Sequence, residues 1–252
     1  MPVSAIEELD ALQSRGVPVF VDRMRKLVRA VASDGDVEGA TESLADLIAS
    51  STGIADILGR RRTLLQVDRK AGRKVQFGVE DERAISTPQI IEKVTFQEAL
   101  DNIVQREPRL VESAEEVRQL YTEGKFFALA RARADESGKV VTERVQGFIA
   151  DAIRRGVPDS KIVADIMAQS EDFTRAYAET VLSTNLTTAY TEGRFAQARS
   201  PELRDFIVAL RFTATGPPET TDTRPNHWAA DGLMAAPNDP IWDFLRPPLG
   251  YR

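Results

Sequence analysis

Proline placement constrains this chain more than any other feature. Eight of its thirteen prolines fall after residue 200, in Ser200-Pro201, Gly216-Pro217-Pro218, Arg224-Pro225, Pro237, Pro240 and Pro247-Pro248. Proline lacks the backbone N–H and clashes with the preceding turn, so no long helix fits there. Upstream the apolar residues recur at helical spacing. Just after residue 200 the period becomes two, because Phe206, Val208, Leu210 and Phe212 share one face and Arg211 and Thr213 the other. The expected fold is mainly α with a small C-terminal α+β module: a helical N-terminal domain, a long connecting helix and a short, turn-rich β sheet. Three regions follow: 1–85, helical with a basic segment at 60–74; 86–170, helical; and 171–252, the long helix with the α+β module.

The helical part divides at its caps and turns. Ser4 and Glu7 have capping-box spacing ahead of Ile6, Leu9 and Leu12, and Gly16 supplies a stop. Phe20, Met24, Leu27, Val28 and Val31 form a stripe that ends at Ser33-Asp34-Gly35-Asp36. Leu44, Leu47 and Ile48 mark a third helix, and Ile54, Ile57, Leu58 and Leu65 a fourth. Thr95 with Glu98, and Ser113 with Glu116, make further capping boxes. Phe126-Phe127-Ala128-Leu129-Ala130 reads as buried all round, and Ser137-Gly138 as a turn. A long helix then runs from about residue 172 to about 198, stopped by Ser200-Pro201. Its Thr184, Asn185, Thr187 and Thr188, with Tyr190 and Arg194 behind them, suit contact with something polar or an exposed face.

Charge singles out one segment. The chain carries a net charge of -6, yet Arg60, Arg61, Arg62, Arg69, Lys70, Arg73 and Lys74 meet only Asp68 before Glu80. Two readings stand: a solvated helix face followed by an exposed loop, or a contact with DNA or an acidic protein surface. Phe77 is the one interleaved aromatic, so base stacking has little support.

Composition excludes some chemistry. There is no cysteine, so no disulfide or thiolate site forms within the chain. The start, MPVSAIEELD, is acidic where a signal peptide is basic and then apolar, and no run approaches a membrane span. A soluble protein made in the cytoplasm is expected. His227, the sole histidine, lies five residues after Asp222 and four before Asp231. These three could supply a catalytic metal site on paper, but Pro225 and the glycines put them in a loop, where spacing carries little weight. No nucleophile elbow is present. The alternative structural reading makes Asp222 a turn brace, Arg224 a fork of donors, His227 a bridge, Asp231-Gly232 a tight turn, and Thr184, Asn185 and Tyr190 the loop's partners. Trp228 and Trp242 would anchor the module.

Three pieces stand in order: Leu182-Ser183-Thr184-Asn185 with Thr188-Ala189-Tyr190-Thr191-Glu192-Gly193-Arg194; a strand running into Asp222-Thr223-Arg224-Pro225-Asn226-His227-Trp228-Ala229-Ala230-Asp231-Gly232; and Pro247-Pro248-Leu249-Gly250-Tyr251-Arg252. This order resembles the phage Mu F-like head-morphogenesis (minor head protein) family. The resemblance covers about 80 residues well, with the 222–232 loop its most specific part. Ser183 departs from the family's usual Arg, and the family's closing Cys-x-Cys does not occur before Arg252. His227 would be a metal ligand only with cysteines supplied beyond that residue. The resemblance implies a non-enzymatic virion component of the phage head, assembled in the host cytoplasm, without cofactor, membrane or small-molecule substrate. Its partners would be portal, capsid or scaffolding proteins, and packaged DNA. Two other expectations remain: a metal-dependent hydrolase or toxin-like enzyme using His227 and nearby carboxylates, and a DNA-binding protein acting through 60–74.

Overall fold

A computed structural model describes residues 5–33, 35–72, 86–214 and 225–245. The fold is mainly helical, with a long connecting helix and a small two-stranded antiparallel sheet near the C-terminus, as the proline distribution predicts. In order, the helices are α1 (Ala5–Ala32), α2 (Val37–Lys70), α3 (Thr87–Lys93), α4 (Phe96–Arg106), α5 (Val111–Thr122), α6 (Lys125–Arg154), α7 (Asp159–Gln169) and α8 (Glu171–Ala198). Single 3-10 turns precede α5 and follow α8. The module then runs β1 (Leu210–Arg211), α9 (Pro225–Ala229), β2 (Met234–Ala235) and α10 (Trp242–Leu245).

Helix α2 is the axis of the molecule. It is buried along most of its length from Leu44 to Asp68, with α1, α4, α5, α6 and α8 packed around it. A helix enclosed on all sides needs no single apolar stripe. One hydrophobic cluster therefore joins Leu12 and Phe20 of α1, Leu44 to Val67 of α2, Leu100 and Ile103 of α4, Val141 of α6, Leu182 of α8 and Leu203.

Several local expectations are corrected by this packing. The third and fourth helices are one, α2, entered through Asp36, whose side chain accepts from Gly39 N at 2.9 Å. Gly16 is not a stop, because α1 runs through both it and Pro18. The Leu182 side chain packs against Gly16, so burial there offsets a local helix penalty. Likewise Ser137-Gly138 is the middle of α6, and the Ser137 hydroxyl donates back to Arg133 O at 2.7 Å. Phe126 and Ala130 are buried, but Phe127 and Leu129 are exposed, so α6 is amphipathic here. Thr95 and Glu98 do form a capping box. Ser113 and Glu116 do not, because α5 starts at Val111 and Glu116 is drawn to Arg60.

The strand is shorter than its alternation suggests. Leu210 pairs with Ala235 and Arg211 with Met234, while Phe206 and Val208 stand out in solvent. No helix among the described residues is long and apolar enough to cross a membrane.

Candidate functional site

The module is mounted on the last turns of α8. The Arg199 Nε donates to Pro237 O at 2.8 Å, and its guanidinium lies 5.5 Å from the Phe195 ring. Trp242, nearly fully buried, meets Phe195 edge-on at 5.7 Å and donates from Nε1 to Ala236 O at 2.8 Å. An indole buried with its N–H satisfied is a stable anchor. Sequence reading found Trp242 but missed Phe195 and Arg199. Their spacing of four on one helix, just before Ser200-Pro201, is the signal that could have found them.

Within the module the turn at Asp231-Gly232 closes the sheet. Gly232 has φ of 80°, the left-handed region that favours glycine, and its N–H donates to Phe212 O at 3.0 Å. Phe212 N donates in turn to Leu233 O at 2.9 Å, and the Asp231 carboxylate accepts from Ala214 N at 2.9 Å. His227 sits in α9, half-buried, with its carbonyl accepting from Ala230 N at 3.2 Å. Asp222 and Arg224, and Arg73 and Lys74 of the basic segment, lie outside the described residues. Trp228 is 40% exposed and does not join Trp242 in the anchor. Among the described residues no group of three His, Asp or Glu side chains could hold a metal ion.

The polar residues of α8 face the helical core. Asn185 is buried and donates to Val181 O at 2.7 Å, and the Thr188 hydroxyl donates to Thr184 O at 2.8 Å. Arg194 donates to Gln66 of α2 at 3.2 Å. Burial pushes the Tyr190 phenol up to about 12, despite the nearby Arg194. Its hydroxyl has no hydrogen-bond partner among the described residues. The hydrogen-bond partners of Asn185, Thr188 and Arg194 thus lie on α2 and their own helix. Glycines bring the helices that close: a Cβ at Gly59 would collide with Tyr190 O, and one at Gly193 with Asp56 O.

The basic run is split by burial. Arg60 is 6% exposed and Arg61 7%, so neither lies on a solvated face. Arg60 bridges Asp56 on its own helix and Glu116 on α5, at 2.7 Å each. Arg61 meets Glu8 of α1 at 3.1 Å. Desolvation nevertheless holds both Asp56 and Glu8 above the usual carboxylate range, outweighing the draw of Arg60 and Arg61. Arg62 is half-buried, and only Arg69 and Lys70 are exposed among the described members of the run. Two of the seven cations, Arg60 and Arg61, thus tie α2 to its neighbours.

No family model matches the chain, and no curated protein and no solved structure does either.

Proposed function

We propose that this chain is a structural minor head protein of a tailed bacteriophage, acting in procapsid assembly or DNA packaging near the portal. The carrying observation is the ordered resemblance of residues 182–194, 222–232 and 247–252 to the Mu F-like pattern. The character of the module supports a binding role. Among the described residues between 204 and 245 it buries only Phe212 and Trp242 of the large apolar side chains, yet leaves Val208 80% and Phe244 79% exposed. Met234 and Phe206 are also more than half exposed. Apolar residues left out by a module this small are suited to contact with another protein. Partners on this reading are portal, capsid or scaffolding proteins.

The test is a pull-down of the tagged chain from phage-infected cells. Recovery with portal or capsid protein is expected, and loss of that recovery in a Val208→Asp, Phe244→Ser variant. Recovery of the chain free of every head protein would overturn the proposal.

A further inference from the structure

A cavity of about 160 Å³ opens where α2, α6 and α8 meet. Phe126, Leu129 and Ala189 form its apolar wall, and Thr52, Asn185 and Thr188 its polar one. A cavity of roughly 150 Å³ admits a molecule the size of benzene, so a ligand of about six heavy atoms fits. Lys125 and Glu192 complete the lining, with their charged groups 3.5 Å apart. The lining thus holds one charge of each sign. A charged ligand would add an ion to that balance and lose its hydration, whereas a neutral one does neither.

The polar wall fixes what a neutral head must carry. The Thr52 hydroxyl shares its proton between Ile48 O and Ala49 O, at 2.8 Å each, and Thr188 gives its proton to Thr184 O at 2.8 Å. Both hydroxyl oxygens are left only to accept. Asn185 gives one N–H to Val181 O at 2.7 Å, its one hydrogen bond among the described residues. Its second N–H and its carbonyl oxygen are therefore unspent, on a residue only 6% exposed. Polar groups so far from bulk water gain most from a partner that satisfies them.

The wall then offers acceptors at Thr52 Oγ1, Thr188 Oγ1 and Asn185 Oδ1, and donors at Asn185 Nδ2 and Lys125 Nζ. A carboxylate cannot donate to this set, an ammonium cannot accept from it, and a hydroxyl donates once. A primary carboxamide answers both halves: it has two N–H donors on one nitrogen and a carbonyl with two lone pairs.

We propose that this cavity binds a primary carboxamide on a short alkyl chain. One N–H meets Asn185 Oδ1 and the other the Thr52 and Thr188 hydroxyl oxygens, the carbonyl accepts from Asn185 and Lys125, and the chain lies against Phe126, Leu129 and Ala189. A free small amide and a glutamine side chain of a partner protein share this chemistry. The test is NMR titration of the whole ¹⁵N-labelled chain with butyramide, reading the Asn185 side-chain amide. A saturable shift with a Kd of roughly 1–10 mM is expected, as suits a ligand of about six heavy atoms. Three controls of similar size each lack part of the head: n-butylammonium cannot accept, sodium butyrate cannot donate, and N,N-dimethylacetamide has no N–H. Each should bind at least roughly fivefold more weakly. Thr188→Val, the same shape without the hydroxyl, should weaken butyramide roughly three- to tenfold. Asn185→Leu should abolish the response at the backbone amides of Thr52 and Thr188. A parallel titration with Nα-acetyl-glutamine methylamide separates the sources, since binding equal to or tighter than butyramide assigns the site to a protein glutamine and weaker binding to a free amide. Any control binding as tightly as butyramide, shifts that fail to saturate, or unchanged affinity in Thr188→Val would overturn the proposal.

Discussion

Asp56 and Arg60 show what a charged residue does at the centre of a helical core. Breaking a buried pair leaves an uncompensated charge, whereas replacing it with apolar residues removes the desolvation penalty. Arg60→Met is expected to destabilise the fold by about 3–5 kcal/mol in urea unfolding, and Asp56→Leu, Arg60→Met together by clearly less. Asp56 also sets a pH dependence. Its folded pKa is raised, so the folded state holds a proton more tightly than the unfolded chain. Its contribution to stability is then greatest at low pH and falls as pH rises from the unfolded value of 3.8 through the folded one. Asp56→Asn should remove that fall, so the variant gains on the wild type as pH rises above 3.8. A stability difference constant across that range would contradict the assignment. The sequence could not show this network. Arg60 and Arg61 stand among like charges along the chain, and their partners Glu116 and Glu8 come from α5 and α1. Burial of a charge is a tertiary fact, and linear charge counting misses it.

At the scale of the element, glycine has opposite meanings in different helices. Gly59 and Gly193 let α2 and α8 touch backbone to backbone, so Gly59→Ala and Gly193→Ala should each cost at least 1–3 kcal/mol through overpacking, roughly. A Cβ at Gly147 of α6 meets nothing within 4 Å. Gly147→Ala should therefore stabilise by about 0.5–1 kcal/mol through helix propensity. Thermal unfolding of the three variants separates the cases. Helix periodicity, the Thr95-Glu98 cap and the stop at the end of α8 were all legible in sequence, because each depends on neighbours in the chain. Gly16 and Ser137-Gly138 misled for the same reason in reverse: packing against α8 and the core outweighs a local preference. The Phe206 to Phe212 alternation overstated the strand, since a partner as short as β2 pairs only two of those residues.

The whole molecule joins a deep helical core to a small module with little core of its own. Their junction at Phe195, Arg199 and Trp242 is narrow, so the module should loosen without melting α2. In Trp242→Ala, hydrogen exchange is expected to accelerate at Phe212 and Gly232 while the amides of α2 stay protected. Equal loss of protection in both would mean that the module is integral to the core. The His227 loop was legible as a pattern, but its neighbours were not. Asn185 and Tyr190, read as its partners, are buried in the helical core, where Asn185 donates to Val181 O, and the mount is Arg199 with Trp242. That arrangement mounts the module at the end of α8. The most direct test of the assembly role is quantitative mass spectrometry of heads and procapsids purified from a phage whose genome carries this sequence. The account predicts the chain in both, at a few copies per portal. Its absence from both particles, with normal abundance in the infected cell, would contradict it.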